Sequence, residues 1–295
     1  MTLPVDVRGE IEAALAGSSA GQRVTRDAPL GGGCISPAAR IETDRGTRFF
    51  AKWSERGAPS DFFTSQADGL RALERAGAVR VPRVEAAGER WLLLEWLDPG
   101  SATKETWPSL GRQLAQLHRA SGAAFGAAAD NYIGSLPQAN GARDRWPAFW
   151  VERRIGPQWE RARRGGFFDE ADERAFRRLL GALVPLLAAG DADGPSLVHG
   201  DLWGGNAHVM ADGTAALIDP SAYHGHREVD LAMAELFGGF DSAFFEAYRE
   251  AWPLHPGYEE ERRAVYQIYY LLVHVNLFGT SYVGGVRRAL RRYAG

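Results

Sequence analysis

The chain has 295 residues, 45% of them hydrophobic, enough to build one large domain or two lobes with cores of their own. Its 34 basic and 37 acidic residues leave a formal charge of −3, so neither a global basic field for nucleic acid nor an acidic tail is present. One cysteine, Cys34, excludes an internal disulfide, and no apolar run reaches the roughly 18 residues of a membrane span. A soluble cytoplasmic protein without nucleic-acid or membrane partners is expected. The oligomeric state stays open. Arginines cluster at Arg153-Arg154, at 161–164 and at 287–292, where solvated helix faces are expected.

Val7, Ile11 and Leu15, spaced by four, predict an amphipathic helix over 7–16 that caps a lobe. The stretch Leu30-Gly-Gly-Gly-Cys-Ile-Ser-Pro37 follows. Glycines between strand-like runs let backbone N–H groups approach an anion, although a plain flexible turn has the same composition. Residues 39–43 and 47–53 read as strands joined by Asp44-Arg45-Gly46. Period two puts Lys52 on the face of Phe50. Such a lysine either reaches solvent from the strand end or meets the glycine turn over one face of the sheet.

A helix is predicted over 61–76, with Asp61 as N-cap and Phe63, Ala67, Leu70 and Leu73 as its inward stripe. Gln66 falls on that stripe and needs a partner, either Lys52 or backbone. Two strand-like pieces, 81–84 and 90–95, lead to Glu95-Trp96-Leu97-Asp98-Pro99-Gly100, where Pro99-Gly100 ends regular structure. A lobe boundary is placed here. Residues 1–97 would form a small antiparallel-sheet lobe and 98–295 a mainly helical one, an α+β fold.

In the second part Leu110, Leu114 and Leu117 line a helix ending near His118. Residues 131–137 read as a loop, and Trp146, Phe149, Trp150 and Trp159 as core aromatics. A helix over 171–187 leads to Leu197-Val-His-Gly-Asp-Leu-Trp-Gly-Gly-Asn206. Two short strands, 207–210 and 214–218, then end on Asp219, and a loop carries Tyr223-His-Gly-His226. Asp230 lies in the acidic first turn of a helix. His274 and Asn276 on the apolar helix 265–278 are expected to be satisfied core groups. Asp201, Asn206 and Asp219 form the layout phosphoryl transfer needs: one group to orient a hydroxyl and two oxygen donors for magnesium.

His199-Gly200-Asp201-x-x-x-x-Asn206 followed by Ile218-Asp219 resembles the catalytic and metal loops of protein-kinase-like phosphotransferases of the aminoglycoside and choline kinase branch. With Gly32-Gly-Cys-Ile-Ser36, Asn131-Tyr-Ile-Gly134, Pro137-Gln138, Asp219-Pro220, Tyr223-His-Gly-His226 and Phe237-Gly-Gly-Phe240, the longer pattern is similar to the fructosamine kinase (ketosamine 3-kinase) family. The resemblance implies a bilobal fold, ATP and Mg2+ as cofactors, and transfer of phosphate to the 3-hydroxyl of a small-molecule or protein-bound ketosamine.

By position it implies that Asp201 is the catalytic aspartate, that Asn206 and Asp219 are the magnesium ligands, and that Lys52 contacts the α and β phosphates. Gly31, Gly32, Gly33, Cys34, Ile35 and Ser36 match the nucleotide loop, and Glu95, Trp96 and Leu97 the hinge. Asp230 matches a residue supporting the catalytic loop. The family's glutamate partner of the strand lysine is replaced by Gln66, with Glu74 a substitute acid two turns on. Trp203 stacks on the sugar or packs against the helical lobe, and Tyr223, His224 and His226 are further substrate-side candidates. Cys34 is either an oxidisable exposed thiol or a buried inert one. The alternatives are an aminoglycoside- or choline-type kinase and a nucleotide-binding pseudokinase.

Overall fold

The computed structural model describes residues 2–17, 22–31, 36–54 and 58–293. Helix α1 (Val5–Gly17) precedes three strands, β1 (Val24–Leu30), β2 (Ala38–Thr43) and β3 (Arg48–Trp53). Helix α2 (Phe62–Ala76) then leads to β4 (Val84–Ala87) and β5 (Trp91–Glu95). The five strands form one antiparallel sheet in the order β1-β2-β3-β5-β4. Asp44-Arg45-Gly46 makes the β2–β3 turn, with Gly46 at φ 74°.

Strand alternation divides the sheet between two cores. Phe49, Ala51, Trp53, Trp91 and Leu93 face one way, against Val7, Ile11 and Leu15 of α1. Leu92 and Leu94 face the other way and join Phe63, Ala67 and Leu70 of α2. Full burial of each leucine stabilises by roughly 2 kcal/mol. The N-terminal helix therefore does cap the sheet, helped by a 2.6 Å hydrogen bond from Trp91 Nε1 to Glu10. Asp61 stands just before α2, but its side chain caps nothing, because its backbone (φ −96°, ψ 2°) is not extended as an N-cap requires. Its carboxylate accepts a hydrogen bond from Tyr132 instead.

The remainder is mainly helical. Helix α3 (Thr106–His118) is followed by the strands β6 (Asn131–Ile133) and β7 (Leu136–Gln138). Then come α4 (Trp146–Phe149), a π-helical segment Trp150–Ile155, α5 (Gly156–Arg164), α6 (Glu170–Leu186) and α7 (Ala188–Asp193). Four short strands follow: β8 (Ser196–Val198), β9 (Ala207–Val209), β10 (Ala215–Leu217) and β11 (Tyr223–Gly225). Helices α8 (Glu228–Phe237), α9 (Ser242–Ala251), α10 (Arg263–Phe278) and α11 (Val283–Leu290) complete the chain.

Two segments expected as loops are strands. β6 and β7 form a hairpin, and β11 pairs with β8. Three residues are too few for an alternation signal, so only their partners reveal them. Arg154, expected on a solvated face, is buried; it donates to Ala139 O and Asn140 Oδ1 and lies 3.9 Å over the Tyr223 ring. The aromatics Trp146, Phe149, Trp150 and Trp159 are core, as expected. His274 bonds Tyr270 O at 2.8 Å, and Asn276 bonds Gln158. Among the described residues no helix is long and apolar enough to cross a membrane.

Helices α3 and α9 pack closely because Gly111 has no side chain: a Cβ there would collide with the Phe244 carbonyl. Gly111→Ala must push the two backbones apart. We expect a loss of about 1–3 kcal/mol, read as a fall in melting temperature of roughly 2–4 °C per kcal/mol. An unchanged melting curve would contradict this packing.

Candidate active site

Strand β8 delivers the chain to His199 and Gly200. Gly200 sits at φ 81°, and a Cβ would strike Ser221 O, so only glycine makes this turn. Asp230, in the first turn of α8, holds the turn from beneath. Its carboxylate accepts the backbone N–H of His199 at 2.7 Å and of Gly200 at 2.8 Å. His118 Nε2 lies 3.1 Å from the same carboxylate, and His118 Nδ1 lies 2.8 Å from Tyr248 OH. Tyr270 OH donates to Gly200 O at 3.2 Å. His199 accepts from Asp201 N at Nδ1, so its Nε2–H donates to Ile218 O. Burial lowers the pKa of both histidines, against the pull of Asp230, and keeps them neutral.

This frame presents Asp201. Asn206 Nδ2 donates to Asp201 O at 2.8 Å and to Asp201 Oδ2 at 3.1 Å. Burial pushes the Asp201 carboxyl up to about 7; the Asn206 hydrogen bond opposes the rise, and the negative charges of Asp219 and Asp230 add to it. The β9–β10 hairpin brings Asp219 alongside, at φ 52°. Lys52, buried in the sheet on the face predicted, reaches across the cleft and bonds Asp219 Oδ1 at 2.6 Å.

Lys52 is therefore not paired with Gln66. The Gln66 Oε1 is buried and has no hydrogen-bond partner among the described residues. An ammonium gains more from a carboxylate than from a neutral amide, and Asp219 wins. Glu74 does not substitute: it is exposed at the far end of α2, where its charge acts on Arg83.

The hinge is tied on several sides. Glu95 bonds Arg80 and the Arg83 N–H, and Trp96 Nε1 donates to Asp98 at 2.9 Å. The Leu97 carbonyl accepts from His208 at 3.1 Å, so the hinge is bound to the hairpin carrying Asp219. Of the expected nucleotide loop, Gly31 and Ser36 flank β1 and β2; Gly32, Gly33, Cys34 and Ile35 lie outside the described residues.

The Trp203-Gly-Gly step has a steric cause. Gly204 donates to Gly238 O at 2.9 Å, and a Cβ on it would come within 2.6 Å of Gly239 Cα. A Cβ on Gly205 would overlap the Trp203 ring, so that ring lies over Gly205; it remains 37% exposed, two residues from Asp201. Tyr223 and His226 do not face the cleft. Tyr223 is buried between Phe149 and Arg154, and His226 is buried on Tyr266 and Asp193. Tyr223 opens β11 and His226 follows its end, and both turn toward the helical core, which the sequence pattern of a three-residue strand does not show. His224 is half-buried, its ring close against Gly122. Sequence reading also missed His118, Tyr270 and His208, whose partners in these bonds lie 70 to 130 residues away.

The donor set fits a divalent cation. Asn206 and Asp219 offer hard oxygens on adjoining loops, with the Asp201 carboxylate beside them. Asn206 uses its nitrogen on Asp201, leaving its Oδ1 without a hydrogen bond among the described residues. Burial and the charges of Asp219 and Asp230 raise the Asp201 carboxyl, and a cation bound beside it would oppose that rise.

With this geometry, the comparison with known proteins is decisive. The model of the fructosamine kinase family matches residues 10–294. The chain belongs to the fructosamine kinase family. A Synechocystis protein assigned as a ketoamine kinase is 38% identical over 278 residues, 92% of this chain and 90% of the relative. The chloroplastic protein-ribulosamine 3-kinase of Arabidopsis thaliana is 36% identical over 267 residues, 88% of this chain and 80% of the relative. A Thermobifida fusca crystal structure assigned as a fructosamine-3-kinase superposes with a TM-score of 0.84 at 39% identity, covering 95% of this chain and 98% of that one. The family is one of phosphotransferases, and the fold is the expected bilobal, protein-kinase-like one.

Proposed function

We propose that the chain uses ATP to phosphorylate the 3-hydroxyl of ketosamines, fructosamine and ribulosamine adducts included. The observation that carries this reading is Asp201, on a turn whose His199 and Gly200 N–H groups Asp230 holds and bonded by Asn206, with Asp219 alongside, which Lys52 reaches from the sheet, and an exposed Trp203 nearby. Relatives whose names specify ketoamines and protein-bound ribulosamines support the acceptor class. A cytoplasmic location is part of the proposal and rests on ATP as donor and on a single cysteine.

Catalysis in this reading is positioning and electrostatics. Asp201 orients the attacking hydroxyl and takes its proton late in the transfer. Lys52 moves from Asp219 toward the α and β phosphates once nucleotide enters. Asn206 and Asp219 would hold Mg2+, which offsets charge on the phosphates when bound. The Leu97 N–H, unbonded among the described residues, serves the adenine edge while its carbonyl stays with His208. Trp203 offers its exposed face to the sugar.

The test is a ³¹P or mass-spectrometric assay with ribulose-lysine, fructose-lysine and a glycated protein side by side. Phosphate on the sugar 3-position of at least one is expected. Transfer to an aminoglycoside or choline but to no ketosamine, or ATP binding without any transfer, would overturn the proposal.

A further inference from the structure

Lys52 crosses the cleft to Asp219, yet among the described residues no hydrogen bond joins Lys52 to α2, the helix packed beneath its face of the sheet. The placement of α2 over the helical part must come from elsewhere, and the β6–β7 hairpin supplies it. On one side the hairpin grips the segment that follows Asp219. Asn131 Nδ2 donates to Ala222 O at 3.0 Å, Gln138 Nε2 to Ser221 O at 3.3 Å, and Ser221 Oγ to Tyr132 O at 2.7 Å. Tyr269 OH on α10 locks Gln138 at 2.6 Å. On the other side Tyr132 OH donates to Asp61 Oδ1 at 2.6 Å, and its ring packs 5.1 Å from Phe62, at the start of α2. About two helical turns further on, Gly69 faces Pro220: a Cβ there would sit 3.4 Å from Pro220 Cγ.

We propose that Tyr132 is a positioning residue for nucleotide binding: through Asp61 it ties α2, and with it the sheet carrying Lys52, to the hairpin that fixes the Asp219 segment. This tie acts at the α2 end of the cleft, while the Leu217 N–H bond to Arg80 O and the His208 bond to Leu97 O hold the two parts together near the hinge. Burial and the Asp61 charge hold the Tyr132 hydroxyl up to about 12, so the donor stays protonated at working pH. The inference rests on the ATP-binding reading above, but not on the identity of the acceptor.

The test titrates ATP with magnesium, without any acceptor, into the full chain and four variants. Tyr132→Phe keeps the ring on Phe62 and removes only the hydroxyl; Asp61→Ala removes the acceptor. Each is expected to weaken ATP binding about fivefold, a modest effect because the bond is solvent-accessible. Asp61→Asn retains an oxygen for the Tyr132 hydroxyl and should stay within about twofold of wild type. The double variant Tyr132→Phe/Asp61→Ala should be no weaker than either single, since both delete one interaction. Unchanged affinity in both singles would overturn the inference, as would Asp61→Asn behaving like Asp61→Ala, or additive losses. Wild type that binds ATP yet phosphorylates no ketosamine sinks the acceptor proposal and leaves this one standing on its titrations. Wild type that binds no ATP overturns both.

Discussion

Asp201→Asn is expected to lower kcat by about a thousandfold or more, within the range attributed to a positioned proton acceptor combined with loss of charge beside a metal. The substitution is nearly isosteric, so the Asn206 hydrogen bond to the Asp201 main-chain carbonyl survives. What disappears is the carboxylate oxygen that can take a proton. The new amide also presents an N–H toward the Asn206 amide, which now donates to Asp201 Oδ2. ATP affinity should change little, because Lys52 and Asp219 are untouched. Steady-state kinetics with the best ketosamine, paired with an ATP titration, checks this. A variant retaining a tenth of wild-type kcat would show that Asp201 is not the hydroxyl's partner.

The second large effect is expected at Asp230, and it falls on stability as well as activity. Asp230 is fully buried and receives three donors, from His199 N, Gly200 N and His118. Asp230→Ala leaves two backbone N–H groups and an imidazole N–H without partners in a dry interior. Removing one side of such a buried charged network typically costs about 3–5 kcal/mol. Chemical denaturation should show it as a lower midpoint with an unchanged slope. Asp230→Asn keeps one acceptor oxygen and should lose less stability, while kcat still falls because one of the two backbone tethers is gone. If Asp230→Ala melted like wild type with full kcat, the catalytic turn would be held by something other than this carboxylate.

Both residues were legible in the sequence because their signals are local. Asp201 and Asn206 share one glycine-rich turn, and Asp219 ends the next short hairpin. Asp230 stands in the acidic first turn of a helix, where the dipole favours it. The face of Lys52 followed from strand alternation, and both N-terminal helices from apolar spacing. Tyr223 and His226 misled for the opposite reason. They neighbour Asp219 in sequence, but the pairing of β11 with β8 turns Tyr223, and with it His226 just beyond the strand, into the aromatic core.

By itself the sequence determined which residues could carry the chemistry, and on which local element each one sits. Propensity, period and turn residues act over a few positions, and those are enough for a helix, a hairpin or a glycine turn. The tertiary structure alone decided who bonds to whom. Lys52 chose Asp219 across 167 positions over Gln66 across 14, and Asp61 abandoned its cap for Tyr132 across 71. A charged or polar side chain takes the strongest partner brought within about 3 Å. Which partner that is depends on how the elements dock, and no spacing along the chain contains it.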